Sequence, residues 1–217
     1  MLKSDKLAFC CPKCGGALSS ELGCVMCGEQ FKTVMGIPDL RWPYPEQSDT
    51  GEEKLVAALT RAYQSSTFND LMAIHFQDSR ASDTLLAHYR DYRATAIERS
   101  ERMLQMFNSR LSQFYGLPQP DVALDIGCGV GAGVAVLAKD YEWVIGIDVF
   151  MSKLILARKF LEEHHVDNFL LIQARAQNLP LLSVSVNYVV AQNVIEHLLN
   201  VGAAFDEVSR VLRIGGR

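Results

Sequence analysis

Several features that would assign a protein early are missing from this chain. It has no excess of positive charge: 21 lysines and arginines face 25 acids, for a net charge of −4 over 217 residues. That balance is not the basic footprint of a typical nucleic-acid binder, although a local patch stays open. No apolar run is long enough to cross a bilayer, so no membrane span is expected. Residues 1–6 lack the apolar stretch of a secretory signal, and a cytoplasmic location follows by default. Repeats and low-complexity tracts are absent as well. What remains is a hydrophobic content of 49%, enough for an ordinary globular core.

The chain does have six cysteines. In a reducing compartment these favour metal binding or free thiols over disulfides. Four of them form a pattern, Cys11-x2-Cys14 and Cys24-x2-Cys27. Two intervening residues let both thiolates of a pair reach one tetrahedral ion. The glycines that follow, Gly15 and Gly28, ease the tight turns. Four thiolates close the coordination shell, so the ion implied is a structural Zn2+ with no open position for water. An iron site or metal-free thiols are the alternatives. Cys10 stands one position early and reads as a bystander that could replace Cys11. Cys128 reads as a small buried filler rather than a nucleophile.

Along the chain we expect a zinc ribbon at 1–45, a linker and helical lid segment at 46–118, and a cofactor domain at 119–217. In the first part, 31–34 reads as a strand and 36–40 as a turn. The second part is helical from about 52 to 115, where Ile97, Met103, Leu104, Met106, Phe107, Leu111 and Phe114 recur at helical spacing as core. His75 and His88 read there as surface or packing residues, and Tyr89, Tyr92 and Arg93 as either pocket residues or a solvated face. From Asp121, strands at 122–126, 143–147, 169–173 and 188–191 alternate with helices at 131–139, 151–164 and 201–212. This alternation implies an α/β fold with a Rossmann-like, doubly wound parallel sheet. Four strands make a small sheet, and the fourth would have an unpaired edge. The expectation is a domain incomplete at its C-terminal side, or one that needs a partner strand.

The richest stretch is Asp125-Ile126-Gly127-Cys128-Gly129-Val130-Gly131. Glycines just after a strand let the backbone approach a ligand closely. Gly127, Gly129 and Ala132 even satisfy the looser dinucleotide fingerprint. Asp148 follows roughly 20 positions later, where an acid bonds ribose hydroxyls. Asp125 separates the cofactors. A carboxylate before the glycines would repel a pyrophosphate and welcome a ligand with a cationic amino group. Two further stretches accompany it, Gln177-Asn178-Leu179-Pro180 and Asn193-Val194-Ile195-Glu196-His197-Leu198.

Taken together, Asp125 to Gly216 resembles the class I S-adenosylmethionine-dependent methyltransferases of the methyltransferase type 11 kind. The resemblance implies a loop of Gly127, Gly129 and Gly131 beneath the methionine portion and Asp125 near its amino group. It implies Asp148 on the ribose, Ala176 and Gln177 beside the adenine, and Asn193 near the sulfonium. One residue departs from the family pattern: Arg175 stands where an acid usually caps the adenine amino group, and arginine cannot accept that bond. The N-terminal Cys-Pro-x-Cys-x-Gly, the second cysteine pair, Phe31 and Gly36-Ile37-Pro38 resemble the zinc ribbon of methyltransferase-activating proteins.

S-adenosyl-L-methionine and a structural Zn2+ are therefore the expected cofactors. Methyl transfer is a direct displacement that depends mainly on alignment. His197 is the candidate general base, with packing or capping of the next helix by Glu196 and His197 the preferred reading. The acceptor is unidentified, with a small molecule slightly favoured and rRNA or tRNA as the alternative. A non-catalytic protein that activates a partner protein through the ribbon is a third reading.

Overall fold

The structure is a computed structural model that describes residues 9–44, 49–77, 95–115 and 120–217. His88, Tyr89, Tyr92 and Arg93, and the side chains of Phe107, Leu111 and Phe114, lie outside the described residues. Four parallel strands form the centre: β3 (Val122–Ile126), β4 (Trp143–Asp148), β5 (Phe169–Gln173) and β6 (Tyr188–Ala191). A hairpin of β1 (Lys32–Val34) and β2 (Ile37–Asp39) extends them into a six-stranded sheet ordered β1-β2-β5-β4-β3-β6. Among the described residues the α-helices are α1 (Thr50–Ala62), α2 (Phe68–Phe76), α3 (Ala96–Tyr115), α4 (Ala132–Leu137), α5 (Met151–Glu163) and α6 (Val201–Val211). Among the described residues, no helix is long and apolar enough to cross a membrane.

The central strands read as nearly continuous apolar runs because both faces of a parallel sheet are covered. Alternate side chains go to different cores. Ala123, Val144 and Leu171 face a core roofed by the helices, including Leu59 of α1, Leu71 of α2, Leu104 of α3 and Leu154 of α5. Leu124, Ile126, Ile145, Ile147 and Ile172 face a second core. That second core is closed by α6 and by the cysteine module, through Cys11, Leu22, Cys24, Phe31 and Leu40. The N-terminal module thus covers one face of the main sheet.

Two expectations are corrected here. Residues 36–40 are not all turn. Met35 (φ 52°) and Gly36 (φ 78°) form the tight bend, the two-residue left-handed geometry that suits a hairpin. The chain then extends as β2. The open edge of β5 supplies the reason: Asp39 pairs with Gln173, and the Leu40 amide donates to the Gln173 carbonyl at 2.8 Å. Arg158 of α5 also donates to the Met35 carbonyl and pins the bend. Secondly, the outer edge of β6 is not bare. The Arg213 amide donates to Val186 (2.8 Å), the Arg217 amide to Asn187 (3.1 Å), and the Val189 amide to the Arg217 carbonyl (2.6 Å).

Long-range caps complete the frame. No side chain of its own caps the start of α5. Instead Glu52 of α1 accepts from the Ser152 amide (2.8 Å) and hydroxyl (2.9 Å), which suits an acid at a helix N-terminus. Helix α6 is capped by Asn200, whose side chain accepts from the Ala203 amide at 3.0 Å. Glu196 and His197 therefore do not cap it. They lie earlier, in a separate short 3-10 turn.

Candidate functional site

The glycine loop joins the carboxyl end of β3 to α4, where a doubly wound sheet offers its ligand crevice. All three predicted glycines have left-handed φ: Gly127 at 70°, Gly129 at 54° and Gly131 at 90°. At Gly127 a side chain would also run into Val194. Gly131 lines neither cavity described below. It starts α4, and a Cβ there would press on Ala157 at 3.2 Å and Leu161 at 3.3 Å. Its role in the structure is packing of the loop onto α5. Cys128 is buried, as expected of a filler, and burial pushes its thiol well up.

Two buried carboxylates flank the loop, Asp125 at 4% and Asp148 at 6% exposure. Asp148 accepts from the Gly129 amide (3.1 Å) and the Phe150 amide (3.0 Å). Burial, then repulsion from Asp148, pushes the Asp125 carboxyl up to about 7. Its carboxylate lies against Gly133 so closely that a Cβ at that position would overlap Oδ2. Gly133 is thus a site residue that the spacing of the glycine motif did not reveal.

The loop borders two neighbouring recesses. The larger, about 570 Å³, is lined by Gly127, Asp148, Val149, Phe150, Ala176, Gln177, Asn193 and His197, among others. The smaller, about 270 Å³, is lined by Asp125, Gly127, Gly129, Gly133, Gln192 and Asn193, with His75 of α2 and Arg99, Ser100 and Met103 of α3. Gly127, Lys153 and Asn193 line both. Of the predicted residues, then, Asp148, Ala176, Gln177 and His197 gather in one recess, Asp125 and Gly129 in the other, with Gly127 and Asn193 between them. His197 is exposed at the rim. His75, expected on the surface or in packing, lines the smaller recess and meets the Phe76 ring edge-on at 5.0 Å.

Sequence reasoning missed Lys153, Gln192, Trp42 and Pro43. Lys153 follows Asp148 by five residues on α5, a helical placement with no motif to mark it. Gln192 precedes Asn193, and its buried amide nitrogen has no hydrogen-bond partner among the described residues. Trp42 and Pro43 come from the end of the segment assigned to the zinc ribbon, and both line the larger recess. Arg175 lines it too, and its buried Nε has no partner among the described residues.

The four knuckle cysteines converge. Their sulfurs all lie within 4.8 Å of one another, with Cys11 and Cys27 at 3.8 Å and Cys14 and Cys24 at 3.4 Å. A tetrahedron of metal–sulfur bonds near 2.3 Å has edges of about 3.8 Å, so the set fits one zinc-sized ion. Gly15 (φ 75°) and Gly28 (φ 73°) turn the chain after each knuckle. Their amides donate back to the carbonyls of Cys11 (2.8 Å) and Cys24 (3.0 Å). The Cys27 amide, assisted by that of Met26, pulls the Cys24 thiol down to about 6, while burial pushes Cys11 up to about 12. A divalent cation would favour the thiolate at all four. Cys10 stands outside the set, and its amide donates to the Pro180 carbonyl at 3.1 Å.

The region that carries this loop is similar to known proteins. Residues 124–217 match a family described as a methyltransferase domain. Over 94 residues, the chain is 31% identical to the uncharacterized methyltransferase YcgJ of Bacillus subtilis (strain 168), covering 43% of this chain and 37% of that protein. The chain therefore spans well under half the length of this curated relative. The solved structure of the B. subtilis YcgJ protein aligns over 48% of this chain and 45% of its own, with 25% identity and a TM-score of 0.44. A candidate S-adenosyl-L-methionine-dependent methyltransferase from Methanococcus maripaludis aligns over 58% of this chain and 57% of its own, with 18% identity and a TM-score of 0.49. The described sheet is a mostly parallel, Rossmann-like α/β sheet, and the matched region begins inside β3 and takes in the whole glycine loop.

Proposed function

We propose that the chain binds S-adenosyl-L-methionine across the two recesses and transfers its methyl group to an acceptor, with a small molecule favoured. The observation that carries this reading is the division of the site at the glycine loop. Asp148 stands on the side of Ala176 and Gln177, Asp125 stands on the other, and Gly127 and Asn193 belong to both. An elongated ligand with a nucleoside at one end and an amino acid at the other suits that division.

In this reading Asp148, held by the Gly129 and Phe150 amides, accepts from the ribose hydroxyls. Ala176 and Gln177 border the adenine. Asp125 faces the amino group, whose positive charge would draw its raised carboxyl back toward the ionised form. Asn193 lies at the junction, near the sulfonium. Bound there, the cofactor supplies an electrophilic methyl group. The chain contributes alignment and exclusion of water, the main requirements of a displacement. His197 at the rim would take a proton only from an acceptor that must lose one early. The cysteine set holds a structural zinc and leaves no site on it for the reaction.

An RNA acceptor has less support. Of the lysines that could form a basic face, Lys3, Lys6, Lys13 and Lys32, the first two lie outside the described residues and Lys32 is exposed on β1. Lys13 is engaged by Glu29 at 2.8 Å and by the Trp42 ring at 4.6 Å. Calorimetry on the zinc-loaded protein tests the reading. One S-adenosylmethionine or S-adenosylhomocysteine should bind per chain, and no heat at several hundred micromolar ligand would refute it.

A further inference from the structure

The cysteine module reaches the larger recess directly. Trp42 and Pro43, which follow β2, line it together with Phe150, Ala176 and Gln177. The Trp42 ring is held from the metal knuckle, because Lys13, between Cys11 and Cys14, sets its ammonium 4.6 Å from the ring centroid. Trp42 also packs edge-on against Tyr44 at 5.7 Å, and Tyr44 lies 6.5 Å from the buried Phe31.

One side chain joins this wall to the adjoining lip of the recess. The Nδ2 of Asn178 donates to the Pro12 carbonyl at 2.7 Å and to the Trp42 carbonyl at 3.2 Å. Pro12 belongs to the first cysteine knuckle. Asn178 closes the turn that presents Arg175, Ala176 and Gln177, with its own amide on the Arg175 carbonyl at 3.1 Å. A single amide group thus fixes a residue between two metal ligands, the aromatic wall and the lip of the recess. The neighbouring Cys10–Pro180 backbone bond at 3.1 Å continues the seam.

We propose that Trp42 forms part of the nucleoside wall of the cofactor site, and that metal loading of the four cysteines and cofactor binding are energetically coupled through Asn178. The inference rests on the cofactor reading above. Metal fixes the Pro12 carbonyl and Lys13, which fix Asn178 and Trp42, which shape the recess. Trp42 touches the ligand in this scheme, whereas Asn178 is a positioning residue. Coupling between two sites is reciprocal, so the cofactor must tighten the metal by the factor with which the metal tightens the cofactor.

The test uses the full chain and S-adenosylhomocysteine as probe. Zinc affinity is measured by competition with a chromophoric chelator, with and without saturating probe, and probe affinity by calorimetry on zinc-loaded protein. Saturating probe should tighten zinc roughly 5-fold or more, within the usual range of coupling between sites. In Asn178→Ala that ratio should fall toward one while the protein still binds one zinc. Zinc-loaded Trp42→Ala should bind the probe about tenfold more weakly, and Trp42→Phe should recover most of the loss, as expected of an aromatic wall. Zinc affinity indifferent to probe, in wild-type protein that binds the probe, would overturn the coupling and leave the cofactor reading intact. Undiminished probe affinity in Trp42→Ala would overturn the wall. No probe binding by the zinc-loaded wild type would end both this inference and the cofactor reading.

Discussion

Asp148, at the end of β4, holds the Gly129 amide of the neighbouring loop across 3.1 Å. The carboxylate also takes the Phe150 amide at 3.0 Å, so it fixes the shape of the loop and the start of the next helix together. A buried carboxylate bonded by backbone amides is preorganised, and the same oxygens retain lone pairs for a ligand. Loop geometry and ligand recognition thereby depend on one side chain.

Asp148→Ala should therefore lose both. It removes two charge-assisted bonds and the proposed ribose acceptor, each worth about 1.5–3 kcal/mol. Affinity for S-adenosylhomocysteine should fall by about 100-fold or more in calorimetry, given about 1.4 kcal/mol per factor of ten. Asp148→Asn should retain part of the loop and fall between the two.

Asp125 predicts a pH dependence. Its folded-state value of about 7 lies above the ordinary carboxylate range because of burial and Asp148. The unfolded chain releases this proton near pH 4 and the folded chain near pH 7. Its contribution to stability is thus fully present below about pH 4 and is lost as pH rises toward 7. Chemical denaturation of Asp125→Asn should lose that part of the slope between pH 4 and 7. In the wild type, binding of an amino-bearing ligand near pH 6.5 should release protons, seen as a binding enthalpy that varies with the ionisation enthalpy of the buffer.

Gly133 and Gly202 should respond oppositely to alanine. A Cβ at Gly133 would overlap the Asp125 carboxylate, whereas at Gly202 it would meet only Asn200 Oδ1 at an ordinary 3.6 Å. Overpacking of this kind costs about 1–3 kcal/mol, which in a chain of this size lowers Tm by roughly 2–4 °C per kcal/mol. Thermal melts should show a fall of several degrees for Gly133→Ala. Gly202→Ala, inside α6, should not lower Tm, since alanine favours a helix over glycine by up to about 1 kcal/mol.

Metal analysis of the purified chain should give one zinc per molecule. Cys24→Ser should lower the ratio toward zero, because it removes one of the four sulfurs that close the coordination shell. The module closes one face of the main sheet through Phe31, Leu40 and Cys11. Chelation should accordingly lower the Tm of the entire chain, rather than melt the module alone.

Much of this was legible in the chain because it depends on local rules. Val122–Ile126 is apolar enough to be buried on both faces, and glycines with left-handed φ follow at 127, 129 and 131. The paired knuckles of Cys11, Cys14, Cys24 and Cys27 likewise needed only spacing to be recognised. What stayed hidden depends on pairs far apart in sequence. Glu52 caps the helix beginning at Met151, Gly133 makes room for Asp125, and Ile37–Asp39 becomes a strand because the edge of β5 was open.

The sequence by itself determined the alternation of strand and helix, the glycine loop with its two acids, and the four-sulfur set. Each follows from residue type and spacing alone. Only the tertiary structure decided that the cysteine module is built into the sheet and the second core, and that Trp42 and Asn178 join it to the larger recess. The physical reason is that a sheet face and a sheet edge must each be covered. Which segment covers them depends on the packing of the whole chain.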